Sequence, residues 1–441
     1  MLKNAAKYIS ILNRLSLNTV KYHRDYVLKK KIAFIIQLYG LEINGGAEYH
    51  CRLIAEKLKD IYDVEVLTSC AKSSVLWENE YAEGVSYIDD VTVRRFPTDK
   101  PRDRRKLRRM NQKLRKMQTH QKVLRSLGLL GLYEKVVPDG ITNADYEKWV
   151  EYQGPFLPRL IDYIKEKQAN YDALIFFTYL YYPTIEGLKI APEKSILIPT
   201  AHDEWQIHFP LFESVFTLPK AILYNTLSEK RLVNRLFNNE NIHSAIAAVG
   251  IEQEQAHVKY HVNELLKTND DYLIYIGRVD VHKGCQLLCD HFLKYKKATG
   301  KPLKLIFAGK LFMEKTIDPD IIYMGFVDED VKITLLQNAM ALVIPSLYES
   351  LSLVTLESMA QGIPVIANKD CEVLKDHIEN SHSGFLFNDY ESFKTAMDAV
   401  LDPAFDKATL IANGKKYVAE NYTWEVTIQK YKDAIDYISR H

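Results

Sequence analysis

Two glutamates stand eight positions apart where a predicted helix begins. Glu349 lies in the loop ahead of the helix, and Glu357 lies about one turn inside it. The N-terminus of a helix attracts phosphate, and a carboxylate beside it can accept hydrogen bonds from the hydroxyls of a sugar. Taken alone, Glu357 is better explained as a solvated helix residue, so a binding function needs support from other residues.

A basic loop supplies groups that suit a diphosphate. Arg278 and Lys283 lie between Gly277 and Gly284, in a segment that joins a predicted strand to a predicted helix. An arginine fork and a lysine point charge together match the oxygens of a diphosphate. Open α/β sheets bind their ligands at the carboxyl ends of the strands, which is where this loop begins. The alternative is a solvated basic loop.

Two further motifs lie in the first half of the chain. Gly45 and Gly46 open a helix after the first predicted strand, and paired glycines let the backbone come close to a phosphate. His202 follows a later strand, where an imidazole can hydrogen-bond a sugar or carry a proton. Alone, the glycine pair is explained as well by an ordinary strand–helix turn, and His202 is better explained by a structural hydrogen bond. All four follow predicted strands, two in each half of the chain, which predicts a cleft between two domains.

The elements that position these motifs are apolar strands that alternate with helices. Such strands are buried on both faces, which predicts an α/β fold with helices covering parallel sheets. One series comprises residues 31–38, 64–67, 91–96, 174–177, 195–198, 222–225 and 244–249. A second series comprises residues 272–276, 303–308, 321–324, 342–344, 365–367 and 385–387. We therefore predict two Rossmann-like domains joined by a polar linker near residues 250–268.

Composition limits the classes of protein. The chain has 441 residues, of which 47% are hydrophobic and 26% charged, so a large core is expected and wholesale disorder is excluded. The longest apolar run spans about ten residues, whereas a bilayer needs about 20, so no transmembrane helix is predicted. The five cysteines form no paired C-x-x-C and are interpreted as reduced thiols of a cytoplasmic protein. Two sequences, at 318–320 and 328–330, spell D-x-D, and the one at 328–330 is interpreted as a helix cap rather than a metal site.

The net charge of +1 hides an asymmetry. Residues 1–125 hold 26 basic and 14 acidic side chains, and most of the excess lies in residues 94–125. Apolar residues recur there at helical spacing, with a basic opposite face formed by Arg104, Arg105, Arg108, Arg109, Lys113, Arg115 and Lys116. Such a helix can lie on an anionic membrane surface, or its stripe of Leu107, Met110 and Leu114 can pack on the domain. The sequence leaves both alternatives open.

With these motifs in order, the chain resembles the retaining glycosyltransferases of the GT-B fold known as family 4. The most specific match is the E-x7-E motif from Glu349 to Glu357, and the resemblance extends from Lys31 to the C-terminus. Many members have Gly-Phe-Gly after the first glutamate, where this chain has Ser350-Leu351-Ser352. This departure puts the identity of the sugar in doubt more than the activity.

The resemblance implies a role for each matching residue. Arg278 and Lys283 would hold the diphosphate of the donor, Glu357 its ribose and Glu349 its sugar, beside His202. The implied catalytic residues are His202, Glu349, Arg278 and Lys283. The implied donor-binding residues are Gly46, Arg278, Lys283, Phe326, Val327, Glu349, Leu353, Val354 and Glu357. After a predicted basic helical segment (1–30), the implied domains are an acceptor domain (31–250), a nucleotide-sugar domain (251–420) and a C-terminal helix (421–441) that crosses back.

The resemblance also implies a reaction. A hexose would pass from a UDP- or GDP-sugar to a glycan or lipid-linked acceptor with retention of configuration, and without a metal or cofactor. We expect front-face substitution in which the departing phosphate helps to deprotonate the acceptor hydroxyl. Nucleic acid is not an expected partner, whereas an anionic membrane surface is one. The alternatives are a GT-B nucleotide-sugar epimerase and a non-catalytic GT-B scaffold for another transferase.

Overall fold

A computed structural model describes residues 29–43, 45–126, 141–251 and 260–440. The predicted segment 1–30 lies almost entirely outside these ranges, as does the middle of the predicted linker. Within them the strands form two sheets, one in each half of the chain. The apolar runs become strands because a strand buried on both faces needs apolar side chains at successive positions.

The first sheet has eight strands in the order β3-β4-β2-β1-β5-β6-β7-β8. Their bounds are β1 (Lys31–Ile35), β2 (Asp63–Ser69), β3 (Gly84–Ile88), β4 (Val91–Phe96), β5 (Ala173–Phe177), β6 (Ser195–Ile198), β7 (Ala221–Tyr224) and β8 (His243–Ile246). All neighbours are parallel except β3 and β4. The sequence did not predict β3, because this edge strand alternates between exposed and half-buried residues instead of forming an apolar run.

The second sheet has six parallel strands in the order β11-β10-β9-β12-β13-β14. Their bounds are β9 (Asp271–Ile276), β10 (Leu303–Ala308), β11 (Ile321–Gly325), β12 (Ala341–Ile344), β13 (Val365–Asn368) and β14 (Gly384–Phe387). The last strand of the first sheet ends at Ile246, and the first strand of the second begins at Asp271. Two Rossmann-like sheets were predicted, and the structure confirms them.

Helices cover both faces of the sheets. In the first half they are α1 (Gly46–Leu58), α2 (Arg104–Ser126), α3 (Asn143–Gln153), α4 (Pro158–Lys167), α5 (Tyr182–Gly187), α6 (Phe212–Thr217) and α7 (Leu227–Phe237). In the second half they are α8 (Val262–Leu266), α9 (Cys285–Thr299), α10 (Glu329–Gln337), α11 (Leu353–Gln361), α12 (Glu372–Ser381), α13 (Tyr390–Leu401), α14 (Lys407–Asn421) and α15 (Trp424–Arg440). No helix within the described ranges combines the length and the apolar character needed to cross a bilayer.

The C-terminal helix α15 returns to the first half of the chain, as the predicted fold requires. It contacts α1 and strands β5 to β8. The Tyr431 hydroxyl lies 3.2 Å from Nε2 of His50 on α1, and both side chains are buried. Burial lowers the pKa of His50 to about 4, so the imidazole is neutral at pH 7. The crossing needs Gly250, because a Cβ there would lie 2.4 Å from the Trp424 indole.

A second contact joins the two halves beside the cleft. Arg231 on α7 makes a two-pronged ion pair with Asp376 on α12, with Nη2 at 2.8 and 2.7 Å from the two carboxylate oxygens. The Arg231 side chain is half exposed, so the free energy that this pair contributes is modest. The pair is one of the contacts that link α7 of the first half to α12 of the second.

Candidate active site

The carboxyl edges of the two sheets face each other. The rings of His202, from the first half, and Tyr348, from the second, lie 5.9 Å apart between centroids. Burial raises the pKa of Tyr49 on α1, and the carboxylates of Glu329 and Glu357 raise it further from the opposite domain. The structure therefore brings the four predicted motifs to one cleft.

Lys283 and Glu349 meet in this cleft. Nζ of Lys283 lies 2.8 Å from Oε1 of Glu349 and 3.1 Å from the Tyr348 carbonyl oxygen. Gly284 follows with φ 76°, and a Cβ there would lie 2.5 Å from the Pro345 carbonyl oxygen. The glycine therefore lets the basic loop lie directly against the loop that carries Glu349. An ammonium group and a carboxylate held side by side can bind a phosphate and an adjacent sugar hydroxyl.

Arg278 occupies a more open position than Lys283. Its Nε lies 3.4 Å from Oδ2 of Asp280, and 54% of its side chain is exposed. The guanidinium also lies 5.9 Å from the centroid of the Phe312 ring. Arg278 therefore stands at the mouth of the site, where its outer N–H groups can reach an incoming anion.

The second glutamate of the motif has a partner that the sequence did not indicate. Both carboxylate oxygens of Glu357 lie 3.0 Å from Nζ of Lys332 on α10. Oε1 of Glu329 lies 2.7 Å from the same nitrogen. Burial alone would lower the pKa of Lys332, but the two carboxylates hold it well above the ordinary lysine value. No motif marks Lys332, because its link to Glu357 depends on two helices packing together.

The helix between the two glutamates begins at a strained residue. Ser352 has φ 57° and ψ 64°, a left-handed conformation that costs a residue with a Cβ about 1–2 kcal/mol. It stands at the last position of the family's Gly-Phe-Gly. Leu353 and Val354 form the first turn of α11, where backbone N–H groups have no acceptor within the helix. Those groups can therefore bind an anion.

Phe326 and Val327 lie at the end of an edge strand of the second sheet. They follow β11, the edge strand of the second sheet, after Gly325 with φ 71°. The Phe326 side chain is 71% exposed and Val327 is half-buried. Next to them, Oδ1 of Asp328 accepts the backbone N–H of Val331 at 2.9 Å, so this D-x-D begins a helix as expected.

The surroundings of His202 contain two acidic residues without a sequence signature. Glu204 lies 3.7 Å from the imidazole and accepts a hydrogen bond from the buried Tyr179 hydroxyl. Glu229 is buried beneath the loop, where its oxygens accept the backbone N–H groups of Ala201 and Asn225. Burial raises the pKa of Glu229 to about 8. Among the described residues, Nδ1 of His202 has no hydrogen-bond partner.

The glycine turn of the first domain carries a third acidic residue. Oε1 of Glu48 accepts a hydrogen bond of 2.6 Å from the side-chain amide of Gln37, and Oε1 of that amide accepts one of 3.0 Å from the Thr178 hydroxyl. Burial raises the pKa of Glu48. Its other oxygen covers Gly45, where a Cβ would lie 2.1 Å from it, whereas nothing lies within 4 Å of a Cβ at Gly46. The open side of this turn is therefore at Gly46.

The predicted basic helix packs on the first domain. Leu114 is buried and Leu107 and Met110 pack against the same core, so the apolar stripe faces the domain. Exposed basic side chains lie on the outer surface, namely Arg104, Arg105, Arg108, Arg109, Lys113 and Arg115. The side chain of Lys116 lies outside the described residues. Two of the exposed residues have partners, because Lys113 pairs with Asp145 at 2.8 Å and Arg115 lies 4.7 Å from the Trp205 ring.

Comparisons with known proteins agree with this architecture. Residues 258–417 match the family model of the glycosyl transferases group 1. An uncharacterised glycosyltransferase of Methanocaldococcus jannaschii is 26% identical over 190 residues, covering 40% of this chain and 48% of that protein. The glycosyltransferase 1 domain-containing protein 1 of Xenopus tropicalis is 29% identical over 100 residues, covering 23% of this chain and 29% of that protein. The chain thus spans about half or less of the length of these relatives.

Solved structures match over nearly the whole chain. The sucrose-phosphate synthase of Thermosynechococcus elongatus has a TM-score of 0.66 at 15% identity, over 94% of this chain and 100% of that chain. HepE of Anabaena, solved with UDP-glucose, has a TM-score of 0.62 at 14% identity, over 92% of this chain and 99% of that chain. The chain therefore has the GT-B fold, and the part of it that carries Arg278, Lys283, Glu349 and Glu357 matches the glycosyl transferases group 1.

Proposed function

We propose that this protein is a retaining glycosyltransferase that moves a hexose from a UDP- or GDP-sugar to a glycan or lipid-linked acceptor. The observation that carries the proposal is the Lys283–Glu349 pair, 2.8 Å apart and adjoining the Tyr348 ring that reaches His202 across the cleft. An ammonium for phosphate and a carboxylate for sugar hydroxyls thus stand next to each other, opposite the first domain, which can bind the acceptor. The UDP-glucose of the Anabaena structure supports a UDP-linked donor.

The proposed mechanism assigns the charge that develops in the reaction to residues of the second domain. The bond between the anomeric carbon and the phosphate oxygen breaks, and its electron pair leaves with the nucleoside diphosphate. Arg278, Lys283 and the N-terminus of α11 stabilise that negative charge through groups already oriented towards it. The acceptor oxygen bonds to the anomeric carbon from the same face, and its proton passes to the departing phosphate. No metal is required in this scheme.

The same geometry argues for separate roles of the two glutamates. Glu349 pairs with the proposed phosphate-binding Lys283, which puts its carboxylate near the sugar end of the donor. Glu357 pairs instead with Lys332 and is close enough to Tyr49 to raise the pKa of its hydroxyl, and we assign it to the ribose. Neither residue is assigned as a nucleophile. Trapping of a glycosyl ester on Glu349 would overturn this part of the mechanism.

A thermal-shift series with UDP-, GDP- and ADP-sugars tests the donor class. We expect one nucleotide family to raise the melting temperature with concentration, because a ligand that binds only the folded state stabilises it. The Glu357→Gln variant should need a higher concentration of the same nucleotide. A protein that none of these compounds stabilises would contradict the proposal.

An analysis of the products formed from the stabilising donor distinguishes a transferase from two other functions, an epimerase and a non-catalytic scaffold. An epimerase would convert the nucleotide-sugar to its epimer without an acceptor. A non-catalytic scaffold would bind or ignore the donor and release no nucleoside diphosphate. A transferase instead releases the nucleoside diphosphate in step with a glycosylated acceptor, and it retains the anomeric configuration.

We further propose that the protein works at the cytoplasmic face of a membrane, held there through the outer face of α2. The exposed arginines of this face carry positive charge outwards, whereas the apolar stripe faces the domain. Attachment would therefore be electrostatic rather than by insertion. Each basic residue near an anionic surface contributes about 1 kcal/mol.

Vesicle sedimentation tests this attachment. Replacing Arg105, Arg108 and Arg109 by Glu should weaken binding to phosphatidylglycerol-containing vesicles more than about a hundredfold, given about 1 kcal/mol per lost positive charge. The matched control replaces Lys297, Lys301 and Lys315 of the other domain by Glu, which changes the net charge equally. Binding of the wild-type protein should fall steeply with salt. Salt-insensitive binding, or none, would eliminate the proposed membrane surface.

A further inference from the structure

Lys332 lies beneath the second glutamate of the motif and contacts it in a defined way. Its Nζ is 3.0 Å from each oxygen of Glu357 and 2.7 Å from Oε1 of Glu329. Only 16% of the Lys332 side chain and 24% of the Glu357 side chain are exposed. A partly buried ammonium group thus lies symmetrically between both oxygens of a carboxylate that faces the cleft.

This arrangement limits what Glu357 can do. A carboxylate that accepts from one ammonium through both oxygens is held in a single plane, and each oxygen keeps a further lone pair for another donor. Burial alone would favour a neutral lysine, but Glu357 and Glu329 raise the pKa of Lys332 and keep it charged. Two parallel acceptor sites, fixed in one orientation, suit two hydroxyl groups on adjacent carbons.

The position of the cluster fits the nucleoside end of a donor. Glu357 lies one turn inside α11, past the first-turn N–H groups that we assign to phosphate. Across the cleft, Tyr49 of α1 is close enough for Glu329, Lys332 and Glu357 to act on the pKa of its hydroxyl. A ligand that extends from Lys283 past the start of α11 would therefore meet Glu357 between the two domains.

We propose that Lys332 is a positioning residue, which orients Glu357 to bind the vicinal 2′- and 3′-hydroxyls of the nucleotide's ribose and so makes the site selective for ribonucleotides. The inference rests on the proposed function, because it assumes a nucleoside diphosphate in this cleft. In this proposal Lys332 does not touch the ligand and acts on it only by orienting Glu357. Glu329 completes the cluster as the second carboxylate that pairs with the Lys332 ammonium group and keeps it charged.

The test compares one nucleotide with and without its hydroxyls. Dissociation constants for UDP and 2′,3′-dideoxy-UDP, or the GDP pair if GDP is the ligand that stabilises the wild type, are measured by calorimetry. The proteins are the wild type, Lys332→Met, Lys332→Gln, Lys332→Arg, Glu357→Gln and the control Lys297→Met. Lys297 is exposed on α9 of the same domain. Thermal melts verify that each variant is folded.

The wild type should bind the ribonucleotide about 10- to 100-fold more tightly than its dideoxy analogue, as expected for hydrogen bonds to a charged group. In Lys332→Met and Glu357→Gln this ratio should fall to nearly one, while Lys332→Arg and Lys297→Met keep most of it. Lys332→Gln supplies the same comparison if the methionine variant does not fold. If the substitution and the removal of the ribose hydroxyls change the binding free energy non-additively, the two act on the same contact, which is the one between Glu357 and the hydroxyls.

Two results would overturn the inference about Lys332 alone, and a third would also overturn the proposed function. If Lys332→Met preferred the ribonucleotide over its dideoxy analogue as strongly as the wild type does, Glu357 would need no orientation by Lys332. An equal loss of affinity for both nucleotides would mean that Lys332 is only structural. A wild type that binds neither UDP nor GDP would refute the proposed function itself, and the inference with it.

Discussion

Replacing Lys283 by Met will lower the rate of sugar transfer about 10²- to 10³-fold with little change in the fold. This range is typical when one oriented group that stabilises a developing anion is removed. Lys283 lies beside Glu349 and ends a short turn that Asp280 begins, so its ammonium is already oriented before a donor binds. The measurement is the initial rate of nucleoside diphosphate release in the presence of acceptor.

A double variant separates this effect from a loss of stability. Lys283→Met leaves the Glu349 carboxylate, which is only 19% exposed, without its ion partner. Lys283→Met with Glu349→Gln removes that uncompensated charge, so it should melt closer to the wild type and remain inactive. Lys315→Met, exposed in the same domain, is the control for charge. Activity within threefold of the wild type in Lys283→Met would refute the assignment of Lys283 to the diphosphate.

Replacing Gly309 by Ala will destabilise the second domain by about 3 kcal/mol or more. Gly309 follows β10 with φ 151°, and a Cβ there would lie 1.8 Å from the carbonyl oxygen of Gly277, which follows the neighbouring β9. The oxygen belongs to the backbone, and the position of a Cβ is fixed by the backbone that carries it, so no side-chain rotation relieves the overlap. The strand ends must separate, which combines a steric clash with the loss of a special backbone conformation.

Gly300→Ala provides the matched comparison. Gly300 also has a positive φ, 66°, but nothing lies within 4 Å of a Cβ at that position. The cost of this substitution should therefore be only the left-handed conformation, about 1–2 kcal/mol. Denaturant unfolding, followed by a probe in the second domain because a two-domain chain need not unfold in one step, measures both. Equal destabilisation by the two alanines would contradict the predicted clash.

The fold could be predicted from the sequence to the extent that its strands are buried on both faces. Most such strands appear as apolar runs, and the two predicted series correspond to thirteen of the strands that the structure describes. The edge strand β3 was missed, because a half-exposed antiparallel strand has no such run. The basic helix was predicted correctly as a helix. Whether its apolar stripe faced a membrane or the domain depended on the packing of Leu114.

The candidate site divides in a similar way. The sequence could predict the motif residues, because each lies in a short segment where residue type and spacing are informative; these are Glu349, Glu357, Arg278 and Lys283. It could not predict the roles of Lys332, Glu229 and Gln37. Lys332 and Gln37 contact partners on other elements, and Glu229 accepts the N–H of Ala201 from 28 positions away, so local spacing does not reveal these roles.

The sequence by itself determined that two Rossmann-like units would form and that each would present its motif-bearing loops at the carboxyl ends of parallel strands. This follows from short-range physics, since burial pattern and glycine placement are properties of neighbouring residues. Only the tertiary structure decided that Lys283 pairs with Glu349, that Lys332 holds both oxygens of Glu357, and that Tyr348 reaches His202. Those pairings depend on how helices and domains pack, which brings together side chains that are far apart in the chain.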